Sequence, residues 1–108
     1  MMGIVTIKKN LEFRRVFASG RSRASRFLVL YHLRGEDTGR RFGFVVSRKV
    51  GHAVERNRLR RMLKEIVRLN EDAFRVGFDY VIVVRPAAHG EDYSRLEQSL
   101  LRLARDLG

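Results

Sequence analysis

Apolar and polar positions alternate with period two in two stretches of the chain. Phe27, Val29, Tyr31 and Leu33 fall on one side of residues 26–34, with Leu28, Leu30 and His32 on the other. Phe42, Phe44 and Val46 likewise oppose Gly43, Val45, Ser47 and Lys49 within residues 41–49. Both read as strands, joined by the polar turn Glu36-Asp37-Thr38-Gly39. Tyr80–Val84 is a continuous apolar run, as expected of a central strand buried on both faces, and Pro86 ends it. Three segments have helical character. Asn10 is placed to cap Leu11–Ser19, with Gly20 as the stop. Gly51 breaks the strand pattern, and a helix follows from about Ala53 to Leu69. Asp92 is placed to cap a last helix through Leu107, with Leu96, Leu100, Leu103 and Leu107 inward. Strand, helix and strand around residues 53–69 suggest a crossover and some parallel pairing, hence an α+β fold in two layers.

The middle helix carries the chemistry. Residues 56–68 hold six basic side chains, one acid and no helix breaker. At about 100° per residue, Leu59, Met62, Leu63, Ile66 and Val67 form one apolar stripe. Arg56, Arg60, Arg61, Lys64 and Arg68 fall opposite it with Asn57 among them, and Arg58 lies on a flank with Glu65. A solvated face normally mixes signs, because i,i+4 pairs of opposite charge support a helix and like pairs weaken it. Arg56, Arg60 and Lys64 repeat like charge at that spacing. Such a face suits a polyanion better than water.

Composition extends this reading. The 108 residues carry 23 Lys+Arg against 12 Asp+Glu, a formal net charge of +11, and the pI is near 11.3. That balance is typical of a nucleic-acid binder. No apolar stretch has the length of a membrane span, and no amphipathic segment carries an aromatic anchor set. Met1–Asn10 shows no signal-peptide pattern, so the cytoplasm is the expected compartment. Cysteine is absent, which excludes disulfides and thiolate metal sites. With 44% hydrophobic residues, one proline, no repeat and no linker, residues 1–108 are expected to form one domain. The first eight residues are expected to be loose.

Catalytic side chains do not stand out. The acids pair as Glu36-Asp37, Glu71-Asp72 and Glu91-Asp92 in expected turns, and His32, His52 and His89 are scattered. His52 is placed to contact phosphate or to cap the basic helix. No protein-borne metal site or nucleophile arrangement is legible. A DNA-binding recognition helix is disfavoured by the interleaved strands.

Three segments together resemble the protein component of bacterial ribonuclease P. The first holds Ser47-Arg48-Lys49, Gly51, Ala53-Val54 and Arg56-Asn57-Arg58. The second holds Phe13, Phe17, Gly20 and Arg26-Phe27-Leu28-Val29-Leu30-Tyr31. The third holds Gly77, Asp79-Tyr80-Val81-Ile82-Val83 and Arg85-Pro86-Ala87-Ala88. The resemblance implies a four-stranded mixed sheet with three helices, like the second domain of ribosomal protein S5, with a left-handed crossover through the basic helix. It implies a subunit of a ribonucleoprotein endonuclease that removes the 5′ leader of precursor tRNA, with hydrolysis and Mg2+ belonging to the RNA. Arg48, Arg56, Asn57, Arg58, Arg60, Arg61, Lys64 and Arg68 would meet the catalytic RNA, with one protein per RNA. Phe13, Phe17, Tyr31 and Lys49 would hold the leader in a cleft between the first helix and the sheet. The aromatic pair is physically apt, because residues at i,i+4 share a helix face and rings with cations hold single strands. Phe13 and Phe17 are also natural core residues. A structural RNA-binding protein with no enzyme attached is the alternative function.

Overall fold

A computed structural model describes residues 4–35 and 39–108. The expected turn at Glu36-Asp37-Thr38 lies outside the described residues. In chain order the elements are β1 (Val5–Thr6), α1 (Asn10–Ser19), β2 (Arg21–Ala24), β3 (Leu28–Arg34), β4 (Arg41–Val45), α2 (Ala53–Leu69), β5 (Phe78–Val84) and α3 (Tyr93–Leu107). The strands form one mixed sheet ordered β1-β4-β5-β3-β2. β4 and β5 are parallel, joined by α2, while β5–β3 and β3–β2 are antiparallel. β5 is central, as its unbroken apolar run requires.

The expected four strands are thus five. β1 is two residues long and pairs in parallel with β4. The next residue, Ile7, is 5% exposed, and its amide donates to the Phe42 carbonyl at 2.8 Å. Val5–Ile7, within the stretch expected to be loose, are thus hydrogen-bonded along the edge of β4. β4 stops at Val45, so Ser47 and Lys49 lie in a turn rather than in the strand. Val46 and Val50 bury themselves on either side of that turn.

Strand register sorts the side chains onto two faces. Leu28, Leu30, Phe42, Tyr80, Ile82 and Val84 face the main core, closed by Leu59, Leu63, Ile66 and Val67 of α2 and the four inner leucines of α3. Phe27 precedes β3 and packs with this core too, not with Val29 and Tyr31 as alternation suggested. The other face holds Tyr31, Leu33, Val45, Val81 and Val83, packed around Val16 of α1 and Ile7. α2 and α3 form the expected helical layer, and α1 covers part of the opposite face.

Local chemistry sets the boundaries. Lys9, not Asn10, is the N-cap of α1, and no side chain caps it. Gly20 ends α1 without a left-handed turn, at φ −80°. Its role is steric: a Cβ there would stand 2.5 Å from the Val16 carbonyl oxygen and 2.7 Å from that of His32. Asp92 caps α3 as expected, accepting from the Arg95 amide at 2.9 Å. His52 is the N-cap of α2 but makes no side-chain cap bond.

Candidate RNA-binding surfaces

The cationic side chains of α2 divide by their surroundings. Arg58 is committed: its Nε and Nη2 donate to the Glu55 carboxylate at 2.7 and 2.8 Å. Glu55 also accepts from the Gly90 amide at 2.6 Å, tying the loop before α3 to the start of α2. Arg58 first, then the Gly90 amide, hold the Glu55 carboxyl at about 2. Arg68 makes the same bidentate arrangement with Glu65 at 2.9 and 2.6 Å. Arg60 donates to Asn57 Oδ1 at 3.0 Å. Lys64 lies 5.9 Å from the Phe44 ring centre, and Arg61 is exposed. Arg56 is half-buried, with Nε out of solvent and lacking a partner among the described residues. On a helical wheel Arg56 falls beside Leu63 and Val67, at the edge of the apolar stripe. The sequence reading set it fully on the cationic side. Arg48 and Lys49 are exposed in the turn between β4 and α2.

On the other sheet face, α1 packs on β3 and β5 through Val16, and the seam between helix and sheet is the expected trough. Phe17 is 41% exposed and meets Tyr31 edge to face, ring centres 4.9 Å apart. Phe13 is half-buried and lies against the backbone of β4 at Gly43. A Cβ on Gly43 would stand 2.5 Å from its Cε1. Phe13, Tyr31 and Val45 border the small cluster around Val16 and Val81. The structure brings Phe13, Phe17 and Tyr31 together. Lys49 extends from the turn after Val45 rather than from the strand.

A charged network that sequence reading missed fixes α1 on the sheet. Arg41 of β4 donates through Nε and Nη2 to Asp79 of β5 at 3.0 and 2.7 Å, and through Nη1 to Glu12 of α1 at 2.6 Å. Arg15 of α1 reaches Asp79 at 3.5 Å and donates to the Arg34 carbonyl at 3.1 Å. Asp79 is buried, so its charge requires these partners. Arg41 keeps the Glu12 carboxyl below its ordinary range and is itself pushed up by its two carboxylates. The available signal was one acid opening an apolar strand, Asp79 before Tyr80–Val84.

A family model described as Ribonuclease P matches residues 1–108. The chain is 46% identical over 100 residues to the ribonuclease P protein component of Desulforamulus reducens, covering 93% of this chain and 88% of that one. It is 41% identical over 105 residues to that of Natranaerobius thermophilus, covering 97% and 91%. Its fold superposes on the RNase P protein of Staphylococcus aureus with TM-score 0.87 at 29% identity, covering 94% of each chain. The Thermotoga maritima protein gives 0.85 at 30% identity, covering 93% and 96%. The chain belongs to the bacterial ribonuclease P protein family.

Membership makes it the protein component of a tRNA-processing endoribonuclease. Among the described residues, no three His, Cys, Asp or Glu side chains gather as a metal site. No helix among them is long and apolar enough to cross a membrane. His32 is buried against Phe78 and Tyr80, on the core side of the sheet and away from the trough. His89 Nδ1 lies 2.8 Å from the Val50 carbonyl oxygen, holding two loops together. The acids closest to α2 and α1, Glu55, Glu65, Glu12 and Asp79, are each engaged by an arginine. On α2 and beside α1, what remains for a ligand is cationic and aromatic surface.

Proposed function

We propose that this ribonuclease P protein works through two surfaces in a cytoplasmic complex with one catalytic RNA. α2 lies against that RNA: Arg56, Arg61 and Lys64 neutralise its phosphates, helped by Arg48, Asn57 and Arg60. Arg58 and Arg68 meet it through the guanidinium edges left open by Glu55 and Glu65. The trough between α1 and the sheet holds the single-stranded 5′ leader of precursor tRNA. Phe17 and Tyr31 offer stacking faces, Phe13 backs them, and Lys49 meets a leader phosphate. The single observation carrying this reading is the Phe17–Tyr31 pair, left open to solvent on a helix that the Glu12–Arg41 and Arg15–Asp79 ion pairs clamp to the sheet. A pair meant only for the core would be covered. In keeping with the family, the crossover from β4 through α2 to β5 is assigned a left-handed sense.

Protein side chains then supply binding and charge, while the hydrolysis and its Mg2+ belong to the RNA. Neutralising phosphates lowers the cation demand of assembly, because each contact replaces condensed counterions. Mixing the chain with catalytic RNA and precursor tRNA over a Mg2+ series tests this. The mixture is expected to cleave at lower Mg2+ than RNA alone, and the chain alone is expected to cleave nothing. Cleavage by the protein without RNA would overturn the division of labour. RNA binding with no change in Mg2+ demand or precursor preference would favour a purely structural RNA-binding role.

A further inference from the structure

A third cationic concavity lies on the core side of the sheet, where the β2–β3 turn meets α3. It is a cavity of about 630 Å³ lined by Ser25, Arg26, Phe27, Arg95, Ser99 and Arg102, with Asp106 as its one carboxylate. That volume falls within the ~300–1,000 Å³ typical of small-ligand pockets. Neither surface described above contributes to its lining.

The wall is built rather than incidental. Ser25 Oγ lies 2.6 Å from Ser99 Oγ, joining the turn to α3 across 74 residues of sequence. The same oxygen accepts from the Phe27 and Leu28 amides at 3.3 and 3.1 Å. Arg85 closes the back of the turn: its Nη1 donates to the Ser25 carbonyl at 2.9 Å and its amide to that of Phe27 at 2.8 Å. Phe27 is anchored in the main core, and the Arg26 guanidinium lies 5.7 Å from its ring centre. Arg95 and Arg102 are seven residues apart on α3, nearly two full turns, so they share one face of the helix. Arg95 has only a 3.9 Å approach to Glu91 and is 63% exposed at its side chain. Arg26 and Arg102 are exposed, with no ion pair among the described residues.

We propose that this pocket binds a nucleoside 5′-monophosphate unit, supplied by an unpaired nucleotide of an RNA strand. The phosphate is met by Arg26, Arg95 and Arg102, whose planar forks suit its oxygens. The base stacks on the Phe27 ring or on the Arg26 guanidinium beside it, surfaces that tolerate any base. Asp106 accepts from a ribose hydroxyl or a base amine. A mononucleotide in solution carries the same chemistry, so two probes are needed to separate the sources.

Amide NMR of the full chain, titrated with AMP and separately with a five-nucleotide single-stranded RNA, tests the assignment. Saturable shifts are expected at residues 24–27 and 98–103 with both probes. The RNA should saturate them at a concentration at least about tenfold lower than AMP. Arg26→Ala with Arg102→Ala should abolish these shifts and leave those of α2 intact, and because both side chains are exposed the melting transition should hold. Shifts confined to α1 and α2, or unchanged in the double variant, would overturn the pocket. Equal or weaker saturation by the RNA would overturn the RNA source and leave a free nucleotide as the ligand.

Discussion

Arg56 and Arg61 sit five positions apart on one helix and have different surroundings. Arg61 is exposed and free to turn toward a phosphate. Arg61→Ala is expected to weaken binding of the catalytic RNA by about 1–3 kcal/mol and to lower the salt slope by about one. The melting temperature of the free protein should barely move. Arg56 keeps a buried Nε without a partner among the described residues, which is costly in the free protein. Arg56→Ala should therefore weaken RNA binding comparably while leaving the free protein as stable or slightly more so. Titration of RNA binding beside thermal melts checks both, and a large melting loss with intact RNA affinity would make either side chain structural. Glu55 offers a residue-scale test of pH. Its carboxyl is lowered from 4.5 to about 2, so the stabilisation exists above 4.5 and is lost as pH falls toward 2. Wild type should lose stability through that window more steeply than Glu55→Gln, measured by urea unfolding at each pH.

At the level of elements, the position of α1 decides whether a trough exists. Gly43 gives Phe13 its seat, and a Cβ there would meet the ring at 2.5 Å. Gly43→Ala is expected to cost about 1–3 kcal/mol of folding through overpacking. It should also weaken precursor binding by displacing Phe13, while binding of the catalytic RNA stays unchanged. Arg41→Ala leaves Asp79 buried without its bidentate partner, at a cost of about 3–5 kcal/mol. The elements were legible in unequal measure. The helix bounds Ala53–Leu69, the Asp92 cap and the central strand could be read because each has a period or a cap. β2 could not, since all four of its residues are exposed on an edge and carry no alternation. β1 is too short to have a period. Periodicity also says nothing about which face of a sheet a helix covers. The place of α1 opposite α2 and α3 is set by the Glu12–Arg41–Asp79 chain, whose partners are 29 and 38 residues apart. The aromatic trio was nameable from the resemblance. That Phe17 stays open to solvent while Phe13 is half-buried depends on that same clamp.

The whole molecule presents a net charge of +11, and the carboxylates beside α1 and on α2, Glu12, Asp79, Glu55 and Glu65, are engaged by arginines. Such a surface attracts any RNA, so affinity alone does not distinguish a leader-binding protein from a general polycation. The distinction lies in the difference between substrate and product, precursor and mature tRNA, which differ by the leader alone. The most direct measurement is the precursor-to-mature affinity ratio of the reconstituted holoenzyme, with wild type and with Phe17→Ala. The ratio is expected to fall by about 1–3 kcal/mol in the variant, the scale of one base stacked on an aromatic ring. Mature tRNA binding and assembly with the catalytic RNA should hold, and the partly exposed Phe17 should leave the fold intact. A folded Phe17→Ala protein with an unchanged ratio would contradict leader binding in this trough.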